Sequence, residues 1–264
     1  MSSFRQLIDE SVKAYDEGGL PLFFGRGLKY THNKINERLL LNPNFPPLSI
    51  EYGTNSYPFG HRDKYLYYEG GPKCVPSPSD TVVEAGVYRG YDTAMFAKLG
   101  DQVIAFEPSP RNYKFSKYNL RRFNNVKLFN KGLWNEQSEL EILYGSSGGD
   151  DGFLSPDKGG QKTSKFVPVN TLEEYVNQLN VDEVNFLKIE AEGAEPEILE
   201  GMGELRPEKI VVNADEERNG DSPSKEIMDF LQSKGYNLVG MSLGCVLFFV
   251  LDTKYHYAFR PEYR

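Results

Sequence analysis

Cysteine and histidine are both scarce in this sequence. The chain of 264 residues contains two cysteines, Cys74 and Cys245, and three histidines, His32, His61 and His256. Two cysteines are too few for a disulfide framework or a cysteine metal site, and we interpret Cys245, which lies in an apolar run, as a small buried hydrophobic residue. The histidines form no i,i+4 pair and no HExxH motif. We therefore predict no histidine- or cysteine-based metal site.

Long apolar runs are also missing. No window of about 18 consecutive apolar residues occurs, so no transmembrane helix is expected. The polar, acidic start MSSFRQLIDESVKAYDEGG lacks the apolar stretch of a signal peptide. We expect a cytoplasmic protein with no membrane partner.

Positive charge is in deficit as well. The formal net charge is −8, and lysines and arginines cluster only in KFSKYNLRR, near residues 114–122. We interpret that cluster as the outer face of a helix. Because nucleic-acid binding needs clustered Lys and Arg, we expect no nucleic-acid partner.

From about residue 80 onward, the chain alternates strand-like apolar runs with helix-like segments. Runs such as TVVEAG, QVIAFEP and VNFLKIE are separated by amphipathic segments of about ten residues. This alternation predicts an α/β fold with a mostly parallel, doubly wound sheet. The last runs, YNLVGMS and CVLFFVL, predict an antiparallel hairpin, whereas the glycine-rich stretch GSSGGDDGFLSPDKGGQK is expected to be a mobile surface loop.

Residues 1–78 are interpreted as an N-terminal extension of a main domain that spans residues 79–264. The extension combines two helix-like segments with a proline-rich joint and an aromatic-rich stretch at about residues 50–70. Its aromatic side chains could line a substrate pocket as a lid, pack the extension onto the main domain, or support a homo-oligomer. If the extension covers the pocket, His61 becomes a candidate base.

The most specific local signal follows the first predicted strand. Glu84, Gly86, Tyr88 and Gly90 lie in the segment EAGVYRG, which opens a helix. A glycine there permits a tight turn and the close approach of a ligand, and the helix start offers free N–H groups. Glu107 ends the second predicted strand, 23 residues after Glu84, where a carboxylate can accept the two hydroxyls of a ribose. The unit predicts a nucleoside-binding site, although its spacing is not the G-x-G-x-x-G of dinucleotide-binding proteins.

Three sequence blocks resemble the signatures of FkbM-type methyltransferases: VVEAGVYRGYDT, VIAFEPSPRNY and FLKIEAEGAEPEILEGM. The resemblance covers about residues 80–250. It implies a class I Rossmann-like fold, S-adenosylmethionine as cofactor, and O-methylation of a hydroxyl on a small molecule or a sugar. It also implies cofactor-binding roles for Glu84, Gly86, Gly90 and Glu107, with the segment from Asn130 to Leu133, including Gly132, beside the adenine.

Two positions depart from the family's pattern. The family often has asparagine where this chain has Tyr88, so we expect this residue to change the contacts at the amino-acid end of the cofactor. The family's block K-I-D-x-E-G-x-E has aspartate where this chain has Glu190, which is one methylene longer.

Glu190 is the first candidate for a catalytic carboxylate that faces the acceptor or the sulfonium. It ends a strand, and ligands of open α/β sheets bind outside the carboxyl ends of strands. An acid stabilised by the dipole of the following helix is the open alternative. Asp215, Glu216 and Glu217 follow the next strand, and Glu217 is the second catalytic candidate.

Other charged residues near this point have simpler interpretations. Glu192 and Glu195 are interpreted as helix-capping acids. Lys188 alternates with apolar neighbours and is expected to pair with an acid across the strand face. A divalent ion held by Glu190 and the acids at 215–217 is a further hypothesis that the sequence does not require.

Two other classes of function stay open at this point. One is a catalytically silent module that binds a nucleoside or a partner protein. The other is an NAD-dependent oxidoreductase, which would need the tighter glycine spacing that this chain lacks.

Overall fold

The computed structural model describes residues 41–44, 74–145, 149–154, 161–215, 221–242 and 246–251. Most of the predicted N-terminal extension, together with His61, Cys245 and Glu217, lies outside these residues. The boundary near residue 78 stays a prediction. Within the described ranges, no helix is both long and apolar enough to cross a membrane.

Strands and helices alternate along this part of the chain. The strands are β1 (Thr81–Ala85), β2 (Gln102–Phe106), β3 (Val126–Phe129), β4 (Gly132–Leu133), β5 (Ser138–Tyr144), β6 (Gln161–Asn170), β7 (Phe186–Ile189), β8 (Lys209–Asn213), β9 (Tyr236–Ser242) and β10 (Val246–Leu251). The helices are α1 (Tyr91–Leu99), α2 (Pro110–Leu120), α3 (Leu172–Gln178), α4 (Glu195–Glu200) and α5 (Ser224–Ser233).

Helix bounds follow local sequence signals. Helix α1 begins after Gly90, which has a φ of 81°, and ends at Gly100, whose N–H donates to the carbonyl of Phe96. Helix α2 begins at Pro110, where a fixed φ suits the first helical turn and the missing N–H costs nothing. The N-cap hydroxyl of Thr171 accepts a hydrogen bond from the N–H of Glu174 at the start of α3.

Within the described ranges, the main sheet has seven strands in the order β3-β2-β1-β7-β8-β10-β9. The first five strands of that order pair in parallel, and β10 is antiparallel to both β8 and β9. The predicted doubly wound, mostly parallel sheet and its C-terminal antiparallel hairpin are therefore confirmed. The strand order turns around β1 and β7, which is where such sheets bind ligands.

The sheet is buried on both faces. Val83 and Ile104 belong to one hydrophobic cluster, whereas Val82 and Val103 belong to the cluster on the other face, together with Phe96 of α1. Successive strand residues point to opposite faces, so nearly continuous apolar strands are what a sheet between two helical layers requires. Burying each such side chain contributes about 1.5–3 kcal/mol.

A second, three-stranded sheet was not expected from the sequence. Strand β6 lies between β4 and β5, parallel to β4 and antiparallel to β5. The segment SELEILY of β5 alternates polar and apolar residues, which is a strand signal that the sequence analysis missed. The prediction of a surface loop is also wrong for residues 149–154, since Asp151 and Gly152 are buried and Gly152 pairs with Leu143 of β5.

Candidate active site

A cavity of about 360 Å³ opens where parallel strands of the main sheet end. Ala85 and Phe106, at the ends of β1 and β2, line it together with Glu190 and Asn213, at the ends of β7 and β8. Small-molecule sites have volumes of about 300–1,000 Å³ and lie at such strand ends in α/β proteins. This cavity is the candidate active site.

Gly86 meets the protein's own backbone at the edge of the cavity. Its φ is 83°, and a Cβ added to it would lie 1.7 Å from the carbonyl oxygen of Glu190. No side chain can fit there, and the backbone conformation itself favours glycine. The close approach in the structure is to the backbone at the end of β7, and the predicted approach of a ligand to Gly86 stays a prediction. Gly86 also lines the cavity.

The rest of the glycine loop is shaped by two further left-handed residues. Tyr88 has a φ of 52° and lines the cavity. The guanidinium of Arg89 lies 5.1 Å from the centre of its ring. Gly90 is buried, and a Cβ on it would meet the side chain of Leu120 at 2.8 Å. Gly90 thus lets α1 pack against α2. Its predicted contact with a cofactor stays a prediction.

Glu107 holds the glycine loop through its carboxylate. Its Oε2 accepts hydrogen bonds from the N–H groups of Val87 at 3.1 Å and Tyr88 at 2.7 Å, and its Oε1 accepts from the N–H of Ser109 at 2.8 Å. A carboxylate has about four acceptor positions. Three are used by the backbone, which leaves about one for a ligand rather than the two expected for a ribose.

Burial dominates the electrostatics of Glu107. Burial raises the pKa of its carboxyl to about 7, although the N–H donors of Tyr88, Ser109 and Val87 act in the opposite direction. The residue lines the cavity and lies at the end of β2. A donor on a bound ligand would further favour the ionised carboxylate.

A buried charge cluster underlies the cavity. Lys188 of β7 lies opposite Glu84 of β1 in the sheet register, with the Nζ of Lys188 at 3.3 Å from the Oε1 of Glu84 and 3.1 Å from the Oε2 of Glu190. The Nζ also donates to the carbonyl of Gly86 at 2.9 Å and lies 4.0 Å from Asp92. The predicted pairing of Lys188 with an acid across the strand face is confirmed.

The pKa values in this cluster follow from burial and from the neighbouring charges. Burial alone lowers the pKa of Lys188, but the carboxylates of Glu190, Glu84 and Asp92 outweigh it, and the pKa of the ammonium is raised. Burial raises the pKa of Glu84 to about 7, and Lys188 and the hydroxyl of Thr93 oppose that rise. Glu84 is fully buried beneath the cavity lining, so its predicted cofactor contact stays a prediction.

The acidic turn after β7 separates into residues with different roles. Glu195 is buried, and its Oε1 accepts hydrogen bonds from the N–H groups of Ala191 at 2.8 Å and Gly193 at 3.3 Å. Both donors precede α4, so Glu195 fixes the turn before the helix and does not cap the N–H groups of the helix itself. Glu192 has a φ of 52° and lines the cavity, as does Glu190, whose side chain is 26% exposed.

The residues predicted to flank an adenine lie beside the cavity. The Nδ2 of Asn130 donates to the carbonyls of Glu107 at 2.8 Å and Pro108 at 3.0 Å, so its amide fixes the backbone after β2. A Cβ on Gly132 would meet the ring of Phe153 at 2.6 Å. Phe153 lines the cavity, whereas Gly132 lies behind it.

Asp151 is a site residue that the sequence analysis missed. Its carboxylate is buried and accepts hydrogen bonds from the hydroxyl of Ser109 at 2.6 Å and the Nε of Arg111 at 2.6 Å, and it forms an ion pair with the guanidinium of Arg111. These bonds tie residues 149–154, which form one wall of the cavity, to the start of α2. The doubled acid in GGDDGF was the available signal.

Asn213 is the second missed residue. It ends the otherwise apolar strand β8, is 4% exposed, and lines the cavity. Asp215, two residues later, lines the cavity as predicted. A polar residue that closes an apolar run at a strand end was the signal for Asn213.

The described lining of the cavity is acidic. Its ionisable side chains other than Tyr88 are all carboxylates, namely Glu107, Asp150, Asp151, Glu190, Glu192 and Asp215. Such a lining favours cationic ligands over anionic ones. Across the described ranges, no group of three or more His, Cys, Asp or Glu residues is arranged to hold a metal ion.

Comparison with known proteins identifies a domain family. The model of the methyltransferase FkbM domain matches residues 84–238. A protein named Methyltransferase 1 from Beauveria bassiana (strain ARSEF 2860) is 24% identical over 229 residues, which cover 76% of this chain and 89% of the relative.

Solved structures with a related chain arrangement include a methyltransferase FkbM from Methylobacillus flagellatus KT. It is 16% identical with a TM-score of 0.49, and the match covers 82% of this chain and 52% of that one. This chain thus spans about half the length of that protein. The fibrillarin of Aeropyrum pernix, solved with natively bound S-adenosyl-L-methionine, is 11% identical with a TM-score of 0.42, and the match covers 66% of this chain and 67% of that one.

Proposed function

The chain belongs to the FkbM methyltransferase family, and on that premise we propose that it transfers the methyl group of S-adenosylmethionine to a hydroxyl oxygen of a small, uncharged acceptor, such as a small molecule or a sugar. The observation that carries this proposal is the acidic cavity at the ends of β1, β2, β7 and β8. Its carboxylates suit a sulfonium cation.

The residues present fit S-adenosylmethionine. Glu107 retains about one acceptor position for a ribose hydroxyl beside the glycine loop. Glu190 and Glu192 supply negative charge further along the strand ends, where the cationic sulfonium would lie. Residues at β1 and β2 would therefore hold the nucleoside, and those at β7 and β8 would face the acceptor.

The same geometry disfavours NAD. In dinucleotide-binding folds the pyrophosphate is bound by free N–H groups of the glycine loop. Here the N–H groups of Val87 and Tyr88 already donate to Glu107. An anionic pyrophosphate would also face an acidic lining, which repels it.

When bound, S-adenosylmethionine supplies an electrophilic methyl group, to which the acceptor oxygen bonds as sulfur keeps the electron pair of the broken bond. The protein must hold the acceptor oxygen in line and receive its proton. The carboxylate of Glu190 is proposed for the proton, because it lines the cavity at the end of β7. Lys188, at 3.1 Å, fixes its orientation and stabilises its charge.

An uncharged acceptor is proposed from the same lining. Carboxylates near the reacting atoms repel phosphates and carboxylates. No lysine or arginine is among the described lining residues, although Lys188 and Arg111 pair with Glu190 and Asp151 from outside the lining. RNA, whose binding needs phosphate contacts, is therefore disfavoured as an acceptor. The reaction is expected to be sensitive to charge on the acceptor and insensitive to added polyanions.

Calorimetry followed by a transfer assay tests the proposal. S-adenosylmethionine and S-adenosylhomocysteine should bind the native protein, and NAD should not. Labelled methyl should then pass from S-adenosylmethionine to hydroxylated small molecules and not to RNA. Binding of NAD without the sulfur nucleosides would overturn the proposal, whereas cofactor binding without transfer to any hydroxyl would favour a silent binding module.

Two variants assign the roles of the carboxylates. Glu107→Ala should weaken cofactor binding by about 1–3 kcal/mol, because it removes a hydrogen bond to a charged acceptor and the carboxylate that holds the glycine loop. Glu190→Gln should lower kcat by about 10²-fold or more and weaken cofactor binding less than it lowers kcat, because Glu192 still supplies negative charge near the sulfonium. Glu136→Ala, at an exposed glutamate outside the cavity, is the control that should change neither quantity.

A further inference from the structure

We propose that Asn213 determines acceptor specificity by binding a second hydroxyl next to the one that is methylated, so that the acceptor is a vicinal diol. The inference rests on the proposed function, since it concerns the acceptor side of the same cavity. It is carried by the position of Asn213 and by the state of its carboxamide.

Asn213 lies beside Glu190 on the same side of the sheet. Strands β7 and β8 are parallel, and Ile189 is the register partner of Val212. Glu190 comes one residue after Ile189, and Asn213 comes one residue after Val212, so the two side chains point to the same face of the sheet. Adjacent strands are about 4.8 Å apart. Both residues line the cavity. A small ligand can therefore contact the two side chains at once.

The sheet order places this pair on the acceptor side. The glycine loop and Glu107 follow β1 and β2, whereas Glu190 and Asn213 follow β7 and β8. Asn213 is separated from the proposed nucleoside contacts by the width of β7. A ligand group that reaches Asn213 therefore belongs to the acceptor.

The carboxamide of Asn213 is not satisfied by the part of the protein that the structure describes. Its side chain is buried, and its Oδ1 has no hydrogen-bond partner among those residues. Leaving a buried polar atom unpaired destabilises a folded protein. A ligand that donates a hydrogen bond to this atom, once the carboxamide turns toward the cavity, would remove that penalty upon binding.

The chemistry of the neighbours excludes an anionic ligand group and suits a hydroxyl of the uncharged acceptor proposed above. A carboxylate or phosphate cannot donate to Oδ1 and would face the acidic lining. A hydroxyl both donates and accepts, so it satisfies either edge of the carboxamide. With one hydroxyl at Glu190 and one at Asn213, on strands about 4.8 Å apart, the two donors lie close together on the same small molecule, as they do in a vicinal diol.

Thermal unfolding of the full chain separates a ligand-facing role from a structural one. Asn213→Leu keeps the size of the side chain and removes the unpaired atom, so the Tm should stay unchanged or rise by a few degrees. Asn170→Leu is the matched control: Asn170 is also buried, but its Oδ1 accepts from the N–H of Thr171 at 2.8 Å, so its Tm should fall. A fall in Tm for Asn213→Leu would overturn the inference.

Binding and transfer assays complete the test. Asn213→Leu should bind S-adenosylmethionine as the native protein does, and a 10-fold loss of that affinity would assign Asn213 to the cofactor instead. Native protein should methylate each diol faster than the matching compound that lacks the second hydroxyl. The pairs are a vicinal cyclohexanediol and cyclohexanol, a methyl glycoside and its deoxy form, and catechol and phenol. Asn213→Leu should reduce that preference about 10-fold.

The outcomes distinguish this inference from the proposed function. Native protein that methylates the monohydroxy compounds as fast as the diols would retain the proposed function and overturn the role of Asn213. A preference that survives in Asn213→Leu would do the same. Failure of the native protein to bind S-adenosylmethionine would instead overturn the proposed function itself.

Discussion

Replacing Lys188 with methionine, which keeps a long side chain but removes the charge, should cost about 3–5 kcal/mol of unfolding free energy at pH 8. The Nζ of Lys188 is enclosed by Glu84, Glu190 and Asp92, and its side chain is 1% exposed. Without it, the fully buried carboxylate of Glu84 loses its only cation within 4 Å among the described residues. Breaking such a pair leaves an uncompensated charge, which dominates the cost.

The cost should depend on pH with a defined sign. In the native protein, burial already raises the pKa of Glu84 to about 7, above its unfolded value near 4.5, and Lys188 limits that rise. A carboxyl with a raised folded pKa destabilises the fold as pH increases from the unfolded to the folded value. In Lys188→Met the folded pKa of Glu84 is higher still. The unfolding free energy of the variant therefore continues to fall above pH 7, whereas Glu84 no longer lowers that of the native protein there.

Urea unfolding at pH 6 and pH 9 measures this difference. The gap in unfolding free energy between native protein and Lys188→Met should be larger at pH 9. Lys225→Met is the control, because Lys225 also pairs with an acid, Asp229, at 2.6 Å but is 86% exposed; its midpoint should not move. The double variant Lys188→Met with Glu84→Gln should recover part of the loss. A cost below about 1 kcal/mol at pH 9, or a gap that narrows with pH, would refute the reasoning.

Three further perturbations test the glycine loop. In urea unfolding, Gly86→Ala should lower the unfolding free energy by about 3 kcal/mol more than Gly235→Ala does. Both glycines have φ above 80°, but a Cβ at Gly235 would meet nothing within 4 Å. Equal losses for the two variants would contradict the close approach of Gly86 to Glu190. Tyr88→Asn should raise the unfolding free energy by about 0.5–1 kcal/mol, since asparagine tolerates a φ of 52° better than tyrosine does. The control is Tyr118→Asn in helix α2, where an arginine also stacks on the tyrosine ring; it should not raise the unfolding free energy. Affinity for S-adenosylmethionine should fall about 10-fold from pH 8 to pH 6. The pKa of Glu107 in the free protein is raised to about 7, so its carboxyl is protonated at pH 6 and must ionise to bind. Calorimetry of Glu107→Gln should show an affinity that does not change with pH.

The main sheet was predictable because each of its strands carries its own signal. Apolar runs such as TVVEAG and VNFLKIE, bounded by glycine and by helix starts, specify buried parallel strands. The location of the cavity followed from the same elements, since strand ends of α/β sheets converge. The pairing of Lys188 was also predictable, because a lysine in a buried strand requires an acidic partner.

The parts that could not be predicted depend on contacts between distant segments. Strand β5 has four apolar residues among seven, but only Ile142 is fully buried, and its place in the fold depends on its pairing with β6. Asp151 is buried because Ser109 and Arg111, some 40 residues earlier in the chain, bond to it. Likewise, the three backbone donors on Glu107 depend on how the loop folds back. No local pattern encodes these contacts.

The close approach of Gly86 to the end of β7 has a consequence for mutational screens. Because the glycine loop rests on the carbonyl of Glu190, the distance between the proposed nucleoside contacts and the proposed acceptor-facing carboxylate is set by the backbone and not by any ligand-binding side chain. A screen for activity would score a change at Gly86 as a loss of catalysis. The residue would then be taken for a participant in the chemistry, when its role is to act as a spacer between two subsites.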